Sequence, residues 1–343
     1  MIYVVSGGGD VTGGPETLHQ LVSLLLSMGQ EARMYYVRPH TLEVPERYRS
    51  YHVEAADRIE DSPENILIVP ETMTYALKGY RKIRICIWWL SVDYYFSTTN
   101  VAHTLQSMKK RGWPKILFPV AYLAKAVRGN LYTYRYHFED HGKYLQLYNC
   151  EYAHRFLLEH GVPEERTLYL CGPLNQSFFE RAEKLKKEDR GERKNWILYN
   201  PAKGREFTEK IIAAAEKEHL NGEFVPLKGM TPEQVSEKMA QAKVYMDFGF
   251  FPGPERIPRE AVTMGCNIIT SRRGSAANEV DVPIPDKMKI EDKDENIPRI
   301  LDRLRDMLDH YDQYVPYYDS YREKVEKQVP LLRENAEILL EKA

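Results

Sequence analysis

The sequence predicts a doubly wound α/β protein built as two domains with C-terminal helices. Short apolar runs alternate with amphipathic stretches through the first half, a charged stretch interrupts them, and the alternation then restarts. At 343 residues the chain suits two domains of roughly 150 residues each.

Ile2–Ser6 is a strand candidate, followed by a helix over Thr17–Met28 with Leu18, Leu21, Val22, Leu25 and Leu26 on one face. Ala32–Val37, Ile66–Val69, Ile83–Leu90, Tyr144–Tyr148 and Thr167–Leu170 are further strands, and Glu151–His160 is a helix that Gly161 ends. Alternation at this pace implies a mostly parallel sheet covered on both faces. The charged stretch Glu180–Lys194 is expected to link the halves. Beyond it follow strand Asn195–Tyr199, helix Glu206–Lys217, strand Phe224–Leu227 and helix Pro232–Ala242. Strand Val244–Phe248, helix Arg259–Met264 and strand Asn267–Ser271 complete the second sheet, and Ile297–Leu308 and Tyr321–Leu340 are helices of the charged end. The domains are set at 1–176 and 177–313, with a helical tail over 314–343.

Lys plus Arg number 48 against 50 Asp plus Glu, a balance that excludes a generally basic nucleic-acid coat protein and an acidic disordered tail. No apolar run reaches the roughly 18 residues a membrane-spanning helix needs. Met1-Ile-Tyr-Val-Val-Ser has no basic start and reads as a strand rather than a signal peptide. Cys86, Cys150, Cys171 and Cys266 form no CxxC pair, so they are expected as buried reduced thiols of a cytosolic protein.

Ligands of open parallel sheets bind beyond the carboxyl ends of the strands, so the loops there carry the chemistry. The first is Gly7-Gly-Gly-Asp-Val-Thr-Gly-Gly14, leading into a helix at Pro15-Glu16. Glycines permit a tight path and helix-start N–H groups attract anions, although a plain tight turn reads the same. The dinucleotide fingerprint is absent, because Thr12 stands where the third glycine belongs and the second strand runs into Arg38 rather than an acid. The second is the proline- and glycine-rich loop after Phe248, from which a short helix is expected to begin at Pro258. Glu260 in its first turn can accept hydrogen bonds from vicinal hydroxyls, and Arg256 and Arg259 offer forked donors suited to phosphate. A helix-dipole role for Glu260 with solvated arginines is the plain alternative.

The stretch Gly253…Glu260-Ala261…Gly265…Ile268…Ser271 resembles the E-G-F-G-x-P-x-x-E-A-x-x-x-G-x-P-V-x-x-S motif of GT-B glycosyltransferases, in particular the bacterial nucleotide-sugar-dependent, retaining-type E-x7-E group of polysaccharide biosynthesis. Asn195–Gly204 is similar to the strand and K-G loop that opens that family's donor domain, and Pro226–Val235 to its G-x-x-x-x-E-E-L segment. Leu174–Phe179 and Gly13-Gly-Pro-Glu16 resemble further family segments in the same order. The resemblance implies a GT-B fold, two Rossmann-like domains facing a cleft, with tail helices bracing the first. It also implies that Glu260 holds the donor ribose, that Lys203 sits against the donor diphosphate, and that Gly13 and Gly14 approach the phosphates. Ser275 falls in a loop that meets sugar or phosphate. The first glutamate of the motif falls on Pro252, and Glu255 is its out-of-register substitute.

Between Thr72 and Phe138 stand eleven Lys or Arg and one acid, Asp93, together with Trp88, Trp89, Trp113 and many tyrosines. Basic residues interleaved with aromatics suit an anionic membrane surface or an anionic acceptor. They also suit single-stranded nucleic acid, while core tryptophans with solvated lysines are the plain alternative. Asp93 is the leading general base, followed by Glu16, His19, Glu71 and His103; a structural ion pair is the other reading of Asp93. Asp292-Lys-Asp294 spells D-x-D without a preceding apolar strand and is expected as a solvated loop, and no His spacing suggests zinc, so no metal is expected.

The expectation is therefore a metal-independent, cytoplasmic glycosyltransferase at the inner face of the cell membrane, taking a nucleotide-sugar as substrate without a separate cofactor. The acceptor is a glycan or lipid-linked molecule, peripheral contact with anionic membrane is included, and no nucleic-acid partner is expected. Catalytic roles fall to Asp93, Lys203 and Glu255, and donor binding to Gly13, Gly14, Lys203, Arg256, Arg259, Glu260 and Ser275. A nucleotide-sugar epimerase and a non-catalytic sugar- or polymer-binding protein are the rivals.

Overall fold

A computed structural model describes residues 1–9, 13–97, 100–128, 143–188 and 192–343. Asp10–Thr12 of the glycine loop, Arg135 of the basic segment and the side chains of His103 and Lys110 lie outside the described residues. The chain divides into two compact units, Met1–Gly172 with Leu332–Ala343, and Pro173–Leu331.

The first unit runs β1 (Ile2–Gly7), α1 (Gly13–Ser27), β2 (Ala32–Val37), β3 (Ile66–Pro70), β4 (Arg84–Trp89), α2 (Val92–Ser97), α3 (Asn100–Lys110), α4 (Phe118–Val127), β5 (Leu145–Tyr148), α5 (Glu151–Glu159) and β6 (Thr167–Tyr169). Its six strands are parallel in the order β2-β1-β3-β4-β5-β6, with Ile2 paired to both Ala32 and Ile66. Every residue of β1 and β3 is buried, which is why Ile2–Val5 and Ile66–Pro70 are continuously apolar instead of alternating. Successive side chains fill two cores on opposite faces: Val4, Ile68 and Trp88 meet α1, while Val5, Val69 and Trp89 meet α5. This decides the two tryptophans. Trp88 donates its indole N–H to the Leu170 carbonyl at 2.9 Å and Trp89 to Gln146 Oε1 at 2.9 Å, so they are core residues and not part of a basic aromatic face.

The second unit runs α6 (Gln176–Lys187), β7 (Lys194–Tyr199), α7 (Arg205–Lys217), β8 (Glu223–Pro226), α8 (Pro232–Gln241), β9 (Ala242–Asp247), α9 (Arg256–Thr263), β10 (Asn267–Thr270), α10 (Ile297–Asp309), α11 (Tyr311–Tyr314) and α12 (Asp319–Lys342). Its parallel sheet has the order β10-β9-β7-β8. The expected linker Glu180–Lys194 begins inside helix α6, which runs to Lys187. Asn175 caps α6 by accepting the Phe178 N–H at 2.9 Å, and Phe178 and Ala182, one turn apart, pack into the second core beneath an exposed charged face. Leu174 packs there too, so the chain enters the second unit at Pro173, ahead of the expected boundary at 176. At the other end, α12 returns to the first unit: Leu332, Ala336 and Leu339 fill its core on the α1 side.

Candidate functional site

The loop after β9, Phe248–Glu255, is gripped from two sides. On one side Gly204 adopts φ +59°, and a Cβ there would lie 2.4 Å from the Phe248 carbonyl oxygen; a Cβ on Gly249 would lie 2.5 Å from Lys203 Cβ. Only glycine lets the Lys203-Gly204 turn press this closely on the loop. On the other side, the segment after β10 binds the loop's carbonyls. Ser271 Oγ donates to Gly249 O at 3.1 Å, the Ser275 N–H to Phe251 O at 2.8 Å, and Ser275 Oγ to Gly253 O at 2.7 Å. Gly274, at φ +53°, allows this approach, since its Cβ would stand 2.0 Å from Phe251 O.

The clamped loop and the helix α9 that follows it carry two ion pairs. Lys203 Nζ donates to the Glu255 carboxylate. Arg256 Nε donates to Glu260 Oε1 at 2.6 Å, one helical turn on. Arg259 is buried, with Nε on the Glu255 carbonyl at 3.2 Å and a terminal nitrogen on Gln328 Oε1 at 2.7 Å. At the end of β9, Asp247 accepts from the Gly249 N–H at 2.9 Å and the Tyr245 hydroxyl at 2.8 Å. Burial pushes the carboxyls of Glu255, Glu260 and Asp247 above the usual range; Lys203 and Arg256 pull Glu255 and Glu260 back, and Lys203 opposes the rise at Asp247 as well. The result is a cluster of cations matched to carboxylates that are buried, at Asp247 and Glu260, or largely so, at Glu255, at the carboxyl ends of parallel strands.

The structure therefore brings Lys203, Glu255, Arg256, Arg259, Glu260 and Ser275 together around one loop. Helix α9 begins at Arg256, two residues before the expected Pro258, so both Arg256 and Glu260 lie on it. Ser275 braces Gly253, and Arg259 is engaged within the protein, in place of solvated donors. Asp247 was missed by sequence reasoning; its signal is an acid ending the apolar run Val244-Tyr-Met-Asp247. Asp294 is exposed, as expected of a solvated loop, whereas Asp292 is largely covered. Arg273 Nε holds Asp292 at 2.9 Å, Lys210 Nζ holds Asp294 at 2.9 Å, and both acids line a cavity of about 280 Å³ with Gly204, Phe248 and Phe250.

In the first unit, Gly13 and Gly14 open α1, with Gly13 exposed. His19 is buried in α1, its Nε2 2.8 Å from the Tyr36 hydroxyl, and burial lowers its pKa. Glu16 accepts from the Tyr51 hydroxyl at 3.1 Å. Asp93 is exposed in the first turn of α2, where its carboxylate accepts from the Tyr152 hydroxyl at 3.1 Å. Glu71 follows β3 and is buried; it accepts the backbone N–H groups of Leu90 at 2.9 Å and Ser91 at 3.2 Å, tying down the turn that presents Asp93. Burial raises its pKa to about 8.

No protein-family model and no curated protein matches the chain. Solved structures do. A glycosyltransferase from Rickettsia africae superposes with a TM-score of 0.60 at 12% identity, covering 99% of this chain and 98% of that one. A sucrose-phosphate synthase from Thermosynechococcus elongatus gives 0.61 at 13% identity, with 99% and 98% covered. The Anabaena protein HepE, solved in complex with UDP-glucose, gives 0.59 at 9% identity, with 98% of both chains covered. The fold is GT-B. Its two parallel sheets, of six and four strands, and its long C-terminal helix belong to a likeness that spans 98–99% of the chain.

Proposed function

We propose that the protein is a GT-B glycosyltransferase that moves a sugar from a nucleotide-sugar to a glycan or lipid-linked acceptor of a bacterial surface polysaccharide. The single observation that carries this reading is the clamped loop after β9, with Lys203 on Glu255 and Arg256 on Glu260. Glu260 has a second carboxylate oxygen to offer a ribose diol, and Arg256 opposes the rise in its pKa that burial causes. Lys203 supplies positive charge where a departing diphosphate gathers negative charge, the electrostatic help that dominates many transfers. The sugar's bond to the phosphate oxygen breaks, a bond to the acceptor oxygen forms, and the acceptor hydroxyl loses its proton. Asp93 is the carboxylate we assign to that proton. Gly13 and Gly14 are assigned to the approach of the backbone to phosphate, and Ser275 and Arg259 to holding the loop. The reading includes a metal-independent reaction at the inner face of the membrane, with peripheral contact to anionic lipid.

Thermal unfolding against a panel of nucleotide-sugars tests it, because a ligand at about a hundredfold its Kd adds roughly 2.7 kcal/mol to folded-state stability. Glu260→Ala should lose the response, while Lys203→Ala should slow nucleotide release with acceptor more than it weakens binding. A donor isomerised without acceptor would make the protein an epimerase, and binding without turnover would make it a sugar-binding protein. No response to any donor, with both variants indistinguishable from wild type, would refute the site.

A further inference from the structure

Helix α4 is built the wrong way round for a helix facing water. Its inward side meets α3 through the small Ala121 and through Lys125, whose Nζ donates to Ser107 Oγ at 3.2 Å. Its outward side is apolar: Val120, Leu123 and Val127 are 65%, 64% and 80% exposed, and Ile116 in the preceding turn is 84% exposed. Spacings of four, three and four residues put these side chains in one stripe, about 16 Å long at 1.5 Å per residue. A solvated surface helix places polar residues there. Continuous exposed aliphatic surface of this kind marks an interaction site.

The chemistry around the stripe selects the partner. Lys109, Arg111, Lys115 and Arg128 are exposed around it, and Trp113, with Arg111 5.6 Å from its ring centre, is half exposed beside it. From Tyr94 to Phe138 the sequence contains no acid at all. A second copy docking by twofold symmetry would set these cations against their own kind. Single-stranded nucleic acid needs aromatic platforms, whereas this ridge is aliphatic. An anionic bilayer satisfies both features: branched aliphatic side chains enter the acyl boundary, the indole sits at headgroup level, and Lys and Arg meet the phosphates. No helix among the described residues is long and apolar enough to cross a membrane, so the contact is with the surface.

We infer that the outward stripe Ile116–Val127, with its basic rim, is the surface by which the protein docks on anionic lipid. The inference rests on the peripheral contact in the reading above and names its residues, but it does not depend on the donor chemistry. The test is co-sedimentation of the full chain with vesicles of phosphatidylcholine alone and of phosphatidylcholine mixed with phosphatidylglycerol. Wild type is expected to bind the mixed vesicles, to release them as salt rises, and to bind phosphatidylcholine far more weakly. A Val120→Glu/Leu123→Glu variant and a Lys115→Glu/Arg128→Glu variant change exposed side chains only, and each should weaken binding roughly tenfold or more. Unchanged vesicle binding in the first variant, or no vesicle binding by wild type, would overturn the inference. So would a wild-type dimer in analytical ultracentrifugation that the first variant dissociates. The nucleotide-sugar thermal response, measured on the same proteins without lipid, separates the two proposals. If it is absent while vesicle binding follows the pattern above, the glycosyltransferase reading fails and the docking surface stands.

Discussion

Glu71 offers the sharpest test of the first unit. Its carboxyl is buried at the end of β3 and accepts the N–H groups of Leu90 and Ser91, and its pKa stands at about 8 against an ordinary 4.5. A group whose folded pKa is raised binds more protons folded than unfolded, so stability falls as pH rises between the two values. The interval from 4.5 to about 8, at about 1.4 kcal/mol per tenfold, gives a total loss of roughly 5 kcal/mol at high pH, of which roughly 3 kcal/mol is gone by pH 7. Glu71→Gln keeps the shape and cannot ionise. Its amide NH2 must face one of the two backbone N–H groups, which costs about 1–2 kcal/mol at pH 5. The two stability curves should therefore cross, with the variant weaker at pH 5 and stronger at pH 8. Urea unfolding from pH 5 to pH 8, in a Trp196→Phe background so that buried Trp88 and Trp89 report the first unit, measures the difference. Contributions of other carboxyls cancel between the two proteins. Parallel curves would refute the assignment of the pH dependence to this carboxyl.

Three further outcomes test the loops of the second unit. Gly274→Ala and Gly204→Ala drive a Cβ into a backbone carbonyl at positive φ, so each should cost about 2–4 kcal/mol in urea unfolding and disturb the clamped loop. Gly13→Ala, where nothing lies within 4 Å, should change stability by less than about 1 kcal/mol; an equal loss in all three would show that close packing is not the cause. Arg193→Ala should cost about 3 kcal/mol, because Arg193 donates to the carbonyls of Met239, Ala242 and Met264 where α8 and α9 end; a loss under about 0.5 kcal/mol would make it a solvated residue. Ser275→Ala should cost about 1–2 kcal/mol and leave donor affinity within about threefold, and a large affinity loss with unchanged stability would make the hydroxyl a ligand group instead.

The strands were the most legible part of the sequence, since runs such as Ile66–Pro70 and Val244–Met246 are apolar for a reason the parallel sheet imposes on both faces. Helix α6 was hidden because five exposed charges surround two buried residues, Phe178 and Ala182, and Arg193 looked like part of the same charged linker although three carbonyls hold it. The tryptophan pair misled for the opposite reason: residues 88 and 89 point to opposite faces of one strand, and only the cover on both sides of the sheet removes each from the surface. At the site, the proline- and glycine-rich stretch after a strand singled out Arg256 and Glu260, while Lys203 and Glu255 were singled out by the family resemblance. Spacing could not show that these charges already neutralise one another. On the proposed function this pairing has a consequence. A diphosphate must compete with Glu255 for Lys203, and Glu255, whose burial already favours the protonated form, gives way by taking up a proton. Donor binding should then strengthen as pH falls toward the Glu255 range, and Glu255→Gln should bind donor more tightly at neutral pH while losing that pH dependence. Weaker binding by Glu255→Gln would mean that the carboxylate holds the donor itself and does not hold the lysine in reserve.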